Sequence, residues 1–346
     1  MDNNRIEGTE PVFPRLGIGC WSFGGGDYWG DQDQNDVDRI VGAAVELGCN
    51  YFDTAEVYND GRSEASLGKA LAGRRDKAFV GTKISPDHLY PGVLRKTCED
   101  SLKRLGTDYL DLYMVHWPVN AVSLRHYTDN SSLIGEPPDI REAFAELAAL
   151  KQSGKIRYIG VSNFGVGQLS EIAGFPVAVN QMCYNLLTRS IEFEILPYCM
   201  ERRIQILGYM PLMQGLLTGK YAAIVDIPWQ RTRTRHFSGR RQGARHGGPG
   251  FEPILEKTLS ELNALSAELD IPLMQLSLAW AIAKKGVACT INGVRTVEQL
   301  YQNAQAVQLK LEADTIRRLD GITEALKHAL GSNPDLYEPD ERSRTY

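Results

Sequence analysis

Asp53, Tyr58, Lys83 and His116 are the residues of this chain whose types and spacing could move a proton to or from an oxygen atom. A free tyrosine, with a pKa of about 10, is a poor acid or base at neutral pH. A lysine ammonium beside it favours the phenolate, and a carboxylate beside the lysine keeps that ammonium charged and oriented. A histidine adds a donor able to polarise a carbonyl. This set protonates an oxygen whose carbon receives a hydride from elsewhere, so the reading requires a cofactor. Two other readings stay open. Asp53 and Lys83 could form a salt bridge with a structural role alone, or Lys83 could be a Schiff-base nucleophile. Asp53, by keeping Lys83 protonated, argues against the second.

Elements must bring these residues together. Short runs rich in β-branched and aromatic residues occur at 16–20, 49–53, 78–83, 109–116, 156–161, 177–181, 204–209 and 286–291. Amphipathic helical patterns lie between them, among them 37–47, 140–150, 265–283 and 297–307. Strands alternating with helices call for right-handed crossovers and a parallel sheet. No strand-adjacent G-x-G-x-x-G opens a helix, which removes the fingerprint of an open dinucleotide-binding sheet. The expected fold is therefore α/β, a single (β/α)8 TIM barrel. In it Asp53 ends the second strand, Lys83 the third and His116 the fourth, with Tyr58 five residues beyond Asp53. All four then face one pocket at the C-terminal end of the barrel. Charges there would be costly to desolvate without partners.

The barrel is expected to occupy residues 1–330. The polar tail at 331–346 could close the substrate site or hang loose. Two long irregular stretches, 117–138 and 221–252, follow the fourth and seventh strands on the face where such barrels build their sites. The second carries six arginines between 226 and 250 against one acid, Asp226, with several glycines. It reads as a mobile cover, and its aromatic interleaving, confined to Trp229 and Phe237, is too thin for a nucleic-acid surface. The whole chain of 346 residues has 38 basic and 43 acidic residues and a formal net charge of −5. That balance suits neither nucleic acid nor an anionic membrane. No apolar run approaches the ~20 residues of a membrane span. The six cysteines form no C-x-x-C pair and read as reduced, buried thiols of a cytoplasmic protein, three of them (Cys20, Cys49 and Cys289) within strands. No metal site is expected.

Asp53-Thr-Ala-Glu-Val-Tyr58 resembles the D-x-A-x-x-Y signature of the aldo-keto reductases, and Gly61-Arg-Ser-Glu64 continues it. Thr82-Lys83 and Val115-His116-Trp117-Pro118 are similar to that family's Lys and His segments. Residues 154–164 (GKIRYIGVSNF), 209–220 (YMPLMQGLLTGK) and 292–303 (NGVRTVEQLYQN) resemble three further motifs, the second typical of bacterial branches. The matches run in order from about Gly17 to Asn303. The resemblance implies reduction of a small-molecule carbonyl, or the reverse reaction on a sugar or alcohol, with Tyr58 as general acid and base. It implies a nicotinamide cofactor lying across the barrel mouth. Ser162, Asn163 and Gln181 would hold its carboxamide, and Tyr209 would stack on its ring. Leu212, Gln214 and Lys220 would line the pyrophosphate path, with Arg233 or Arg231 reaching a phosphate from the cover loop. Gly293, Arg295, Gln299 and Asn303 would meet the adenosine end. Trp21, Tyr28, Trp29 and Trp117 would form an aromatic wall, Trp21, Trp29 and Trp117 touching substrate and Trp21 also the cofactor. Where many NADPH-preferring relatives have Lys-Ser and a later Arg, this chain has Gly293-Val294 and Gln299. Asn292 and Met210 stand where Pro and Ser are common. Arg295 still offers a guanidinium to a 2′-phosphate, so NADP(H) is favoured and NAD(H) possible. Some barrels of this family serve instead as redox-sensing regulatory subunits with slow turnover.

Overall fold

A computed structural model of the chain describes residues 6–221 and 223–346. Eight parallel strands close in sequence order: β1 (Leu16–Gly19), β2 (Tyr51–Asp53), β3 (Phe79–Ile84), β4 (Leu110–Val115), β5 (Ile156–Ser162), β6 (Val177–Cys183), β7 (Gln205–Tyr209) and β8 (Val287–Gly293). β8 pairs back onto β1, Gly293 opposite Gly19, so no edge is left unpaired. The expected barrel is the one observed. Cys20 and Cys49 lie just outside the strands that the sequence pattern gave them; all six cysteines are buried and free.

Apolar residues face two ways. Helix Gln34–Glu46 lays Val37, Ile40, Val41 and Ala44 on the outside of the barrel, and helix Ile140–Gln152 does the same with Phe144, Leu147 and Leu150. The lumen is filled by Phe13, Tyr51, Leu112, Met114, Val179, Leu207, Cys289 and Ile291. Glycines make room for the largest of these. A Cβ on Gly17 would sit 2.5 Å from Cδ1 of Tyr51, and one on Gly81 would sit 2.8 Å from its hydroxyl. The Tyr51 hydroxyl in turn donates to Asp53 at 3.1 Å, so lumen packing reaches up to the strand ends.

The single helical pattern read at 265–283 is two helices, Glu252–Leu269 and Leu273–Ala283. Asp270 turns left-handed (φ 52°) and Pro272, which has no N–H to give, caps the second helix. Both helices bury apolar faces, so the hydrophobic pattern continues across the break. The stretch after β4 holds two short helices, Ala121–Leu124 and Ser131–Gly135, capped by Asn120 and Asn130.

Polar composition at 331–346 fits a loose end as readily as a docked one; in the fold the segment is docked. Asp335, fully buried, accepts from Nε and Nη2 of Arg344, both at 2.7 Å. The carbonyl of Arg344 accepts from Asn120 Nδ2 at 2.9 Å and Gln168 Nε2 at 2.8 Å. Thr345 Oγ1 donates to the carbonyl of Asn163 at 2.7 Å. Gly165 and Gly167 leave the space this needs: a Cβ on either would lie 2.1 Å or 2.8 Å from Tyr346. Most of its polar groups pair with one another or with groups on the barrel, which is what lets so polar a segment pack. Among the described residues no helix is long and apolar enough to cross a membrane, and no cluster of His, Cys, Asp or Glu could hold a metal ion.

Candidate active site

The C-terminal ends of β2, β3 and β4 bring Asp53, Lys83 and His116 to one pocket, and Tyr58 enters it from the turn after β2. That turn is built from consecutive left-handed residues, Asn59 (φ 52°), Asp60 (φ 55°) and Gly61 (φ 79°). Asn59 pins it by donating from Nδ2 to the carbonyls of Trp21 and Phe23, at 2.7 and 3.0 Å. Lys83 is fully buried, and its three protons are all engaged: Asp53 Oδ2 at 2.7 Å, the Thr54 carbonyl at 2.9 Å and the Tyr58 hydroxyl at 3.2 Å. The other oxygen of Asp53 accepts from Gln181 Nε2 at 2.7 Å and from Tyr51. Desolvation works against the charge on Lys83, but Asp53 and Tyr58 outweigh it and its pKa is raised. Lys83 is held as an ammonium.

For Tyr58 the outcome differs from the expected lowering. Burial pushes the phenol above its ordinary value, and the opposing pull of Lys83 does not overcome it. Tyr58 is therefore a neutral phenol at physiological pH, the form that can give a proton. The His116 ring meets Tyr58 edge-on at 5.6 Å, and its Nδ1 is buried without a partner. Burial, then the cations Lys83 and Arg344, hold His116 well below the usual histidine range.

Two other imidazoles, His126 and His236, are also lowered by desolvation, to about 4. A histidine whose folded pKa lies below its unfolded value, about 6.5, binds fewer protons folded than unfolded. Stability is then complete above pH 6.5 and lost as the pH falls toward the folded pKa. His88, raised mainly by its hydrogen bond to Glu56, works the other way, stabilising below its unfolded pKa and losing that contribution as the pH rises through its folded one. With four lowered, His246 among them, against one raised, the thermal midpoint should fall between pH 7 and pH 5. The Cε1 proton of His116 should keep one NMR shift from pH 5.5 to 8, and a titration near 6.5 would contradict its buried neutral state.

The residues expected to meet a cofactor fall on adjoining strand ends. Ser162 and Asn163 close β5, Gln181 lies in β6 and Tyr209 ends β7. The Tyr209 hydroxyl donates to Asn163 Oδ1 at 2.8 Å, while Asn163 Nδ2 donates to the His116 carbonyl at 3.2 Å and to Ser162 Oγ at 3.0 Å. After β7 the backbone turns left-handed at Met210, Met213, Gln214 and Gly215, with Leu212 among them. A Cβ on Gly215 would lie 2.9 Å from the Lys220 ammonium, so that charge folds over the turn. Gln214 Oε1 is buried there without a partner. A left-handed turn with a cation folded over it and an unmet polar atom suits the pyrophosphate of a dinucleotide.

Other expected residues are engaged elsewhere. Arg295 donates to the carbonyls of Trp29 and Asp31 at 2.7 and 2.8 Å and to Gln32 at 3.2 Å, and so latches the loop after β1 instead of presenting a free guanidinium. Its own N–H donates to Gln299 Oε1 at 2.9 Å. Gly293 is exposed at the end of β8, and Asn303 is buried on helix Val297–Ala306. Arg231 donates to the Tyr28 hydroxyl at 2.9 Å, and Arg233 lies 5.9 Å from the Tyr28 ring, so the loop after β7 crosses the mouth to the loop after β1. Trp21 stacks on Tyr28 and on Tyr58, and Trp29 meets Trp21 edge-on. Trp117 does not join this cluster: the Arg344 guanidinium covers its ring at 3.5 Å. Arg344, Asp335 and Tyr127 were not singled out by the sequence pattern, although all three lie in stretches expected near the site, the tail at 331–346 and the long stretch after β4.

Residues 15–324 match the model of the Aldo/keto reductase family. The chain is 30% identical to the aldo-keto reductase YhdN of Bacillus subtilis, covering 94% of each chain. It is also 30% identical to an NADH-specific methylglyoxal reductase of Escherichia coli, covering 92% of this chain and 97% of that one. A crystal structure of an aldo/keto reductase from Klebsiella pneumoniae with NADP and acetate superposes with a TM-score of 0.67 at 27% identity, over 90% of this chain and 92% of that one.

Proposed function

The chain belongs to the aldo/keto reductase family and is an NAD(P)H-dependent oxidoreductase, and we propose that it reduces an aldehyde or ketone to the alcohol with Tyr58 as the proton donor. The observation that carries the reading is the buried sequence of contacts from Asp53 through Lys83 to the Tyr58 hydroxyl. The nicotinamide, when bound, supplies the hydride that no side chain here can supply. Ser162, Asn163 and Gln181 would hold its carboxamide, Tyr209 would stack on its ring, and the turn at Leu212, Gln214 and Lys220 would take its pyrophosphate. Arg233, Gly293, Arg295, Gln299, Asn303 and Trp21 would border the rest of that path.

Tyr58, neutral through burial, gives its proton to the carbonyl oxygen, which His116 orients. Lys83 then faces the phenolate left behind at 3.2 Å and stabilises it, while Asp53 holds the Lys83 ammonium charged and in place. In the reverse direction the phenolate takes the hydroxyl proton of an alcohol. The Schiff-base reading requires a neutral amine, and Lys83 is an ammonium with three acceptors.

We favour NADP(H), with NAD(H) accepted less well. Lys220 and Arg233 stay available to phosphate, whereas Arg295 must release the loop after β1 to reach one. Titration of the tryptophan fluorescence with NADPH and NADH, followed by turnover of methylglyoxal and other small aldehydes, tests the reading. Saturable quenching and aldehyde-dependent oxidation of at least one dinucleotide are expected. Quenching by neither would remove the hydride source and contradict the proposal.

A further inference from the structure

Two further polar groups, Arg344 Nη1 and the Tyr127 hydroxyl, both on segments outside the barrel strands, make no hydrogen bond among the described residues. Arg344 engages Asp335 through Nε and Nη2, leaving Nη1 with no hydrogen bond among the described residues. Only 5% of Arg344 is exposed. Its position is overdetermined: the ring of Trp117 lies 3.5 Å beneath the guanidinium, and Asn120 and Gln168 hold its carbonyl. Tyr127, from the segment after β4, makes no hydrogen bond through its hydroxyl among the described residues. Its ring lies 6.3 Å from that of His116, which is itself 5.6 Å from Tyr58. Trp117 follows His116 in the chain, so Arg344 borders the segment that carries His116, and its charge helps to lower the His116 pKa.

Taking the reductase reading as given, we propose that Arg344 and Tyr127 form a subsite for a carboxylate carried by the carbonyl substrate, so that oxo acids are preferred to their neutral counterparts. The free Nη1 of a rigidly held guanidinium, together with a free hydroxyl, offers donors to the two oxygens of a carboxylate. Asp335, paired through both of its oxygens, offsets the guanidinium charge, so recognition rests on these donors and not on net charge, and Glu56 accepts from Ser85 and His88. Asp87 lies 3.9 Å from the other nitrogen of His88, whose charge is favoured by the same cluster.

The probes are ω-oxo carboxylates of increasing chain length, each paired with its methyl ester, compared by kcat/KM with NADPH or NADH. For at least one length the acid should exceed its ester about tenfold. Arg344→Gln should bring that ratio to about one through KM while the ester changes little. Tyr127→Phe leaves the Arg344–Asp335 pair intact and should weaken the acid alone, about three- to tenfold. Esters reduced as well as acids at every length, or a loss shared equally by acid and ester in both variants, would overturn the subsite and leave the reductase reading standing. No turnover of any ester with either dinucleotide would contradict that reading itself.

Discussion

Tyr58→Phe is expected to lower kcat by about a thousandfold, within the ~10²–10⁴-fold range of a positioned acid, and to leave dinucleotide affinity unchanged. The substitution removes one oxygen atom. Its ring contacts with Trp21 and His116 are made by carbon atoms and survive. Lys83 loses one of its three acceptors but keeps Asp53 and Thr54, so it stays charged and in place. Steady-state kinetics alongside fluorescence titration separate the effects. A parallel fall in affinity and rate would mean that the hydroxyl holds the pocket together and does not act on the substrate.

The second large effect is on stability. Asp53→Ala leaves the Lys83 ammonium buried with only a carbonyl and a phenol, and strips an acceptor from both Gln181 and Tyr51. Removing one partner of a buried pair costs about 3–5 kcal/mol. The pH dependence has a definite sign. Without Asp53, desolvation drives the folded pKa of Lys83 below its unfolded value of about 10.4, so the folded protein binds fewer protons than the unfolded one. The variant should therefore lose most stability at low pH and recover part of it as the pH rises. Urea denaturation at pH 7 and pH 9 measures both, with the gap from the parent protein larger at pH 7. A loss under about 1 kcal/mol at pH 7 would show that water reaches Lys83 and that the pair is not a desolvated one.

The barrel was legible because the strands are short apolar runs, several of them ended or followed by a polar residue, and parallel strands in a closed sheet bring those ends together. Asp53, Lys83 and His116 could thus be assigned to one pocket from residues thirty or more apart. What was not legible depended on burial or on pairing between distant segments. The rise in the Tyr58 pKa comes from desolvation, which the presence of a charged partner such as Lys83 does not report. The engagement of Arg295 needs the loop after β1 to fold beneath it. The docked tail rests on Asp335 and Arg344 pairing with each other and on Gly165 and Gly167 having no side chain where Tyr346 lies. Polar composition hides all of these. Pro272 did signal the helix break, but continuous apolar residues on both sides masked it.

The central claim is that Tyr58 protonates a carbonyl whose carbon is reduced by the bound dinucleotide. The most direct test supplies NADPH, or NADH if that binds more tightly, deuterated at the transferable position of C4, with an aldehyde, and weighs the alcohol by mass spectrometry. One deuterium on the carbinol carbon per product molecule from the parent protein, and almost none from Tyr58→Phe in the same time, is the expected result. Alcohol lacking deuterium, or an aldehyde carbon bound to Lys83, would contradict the account.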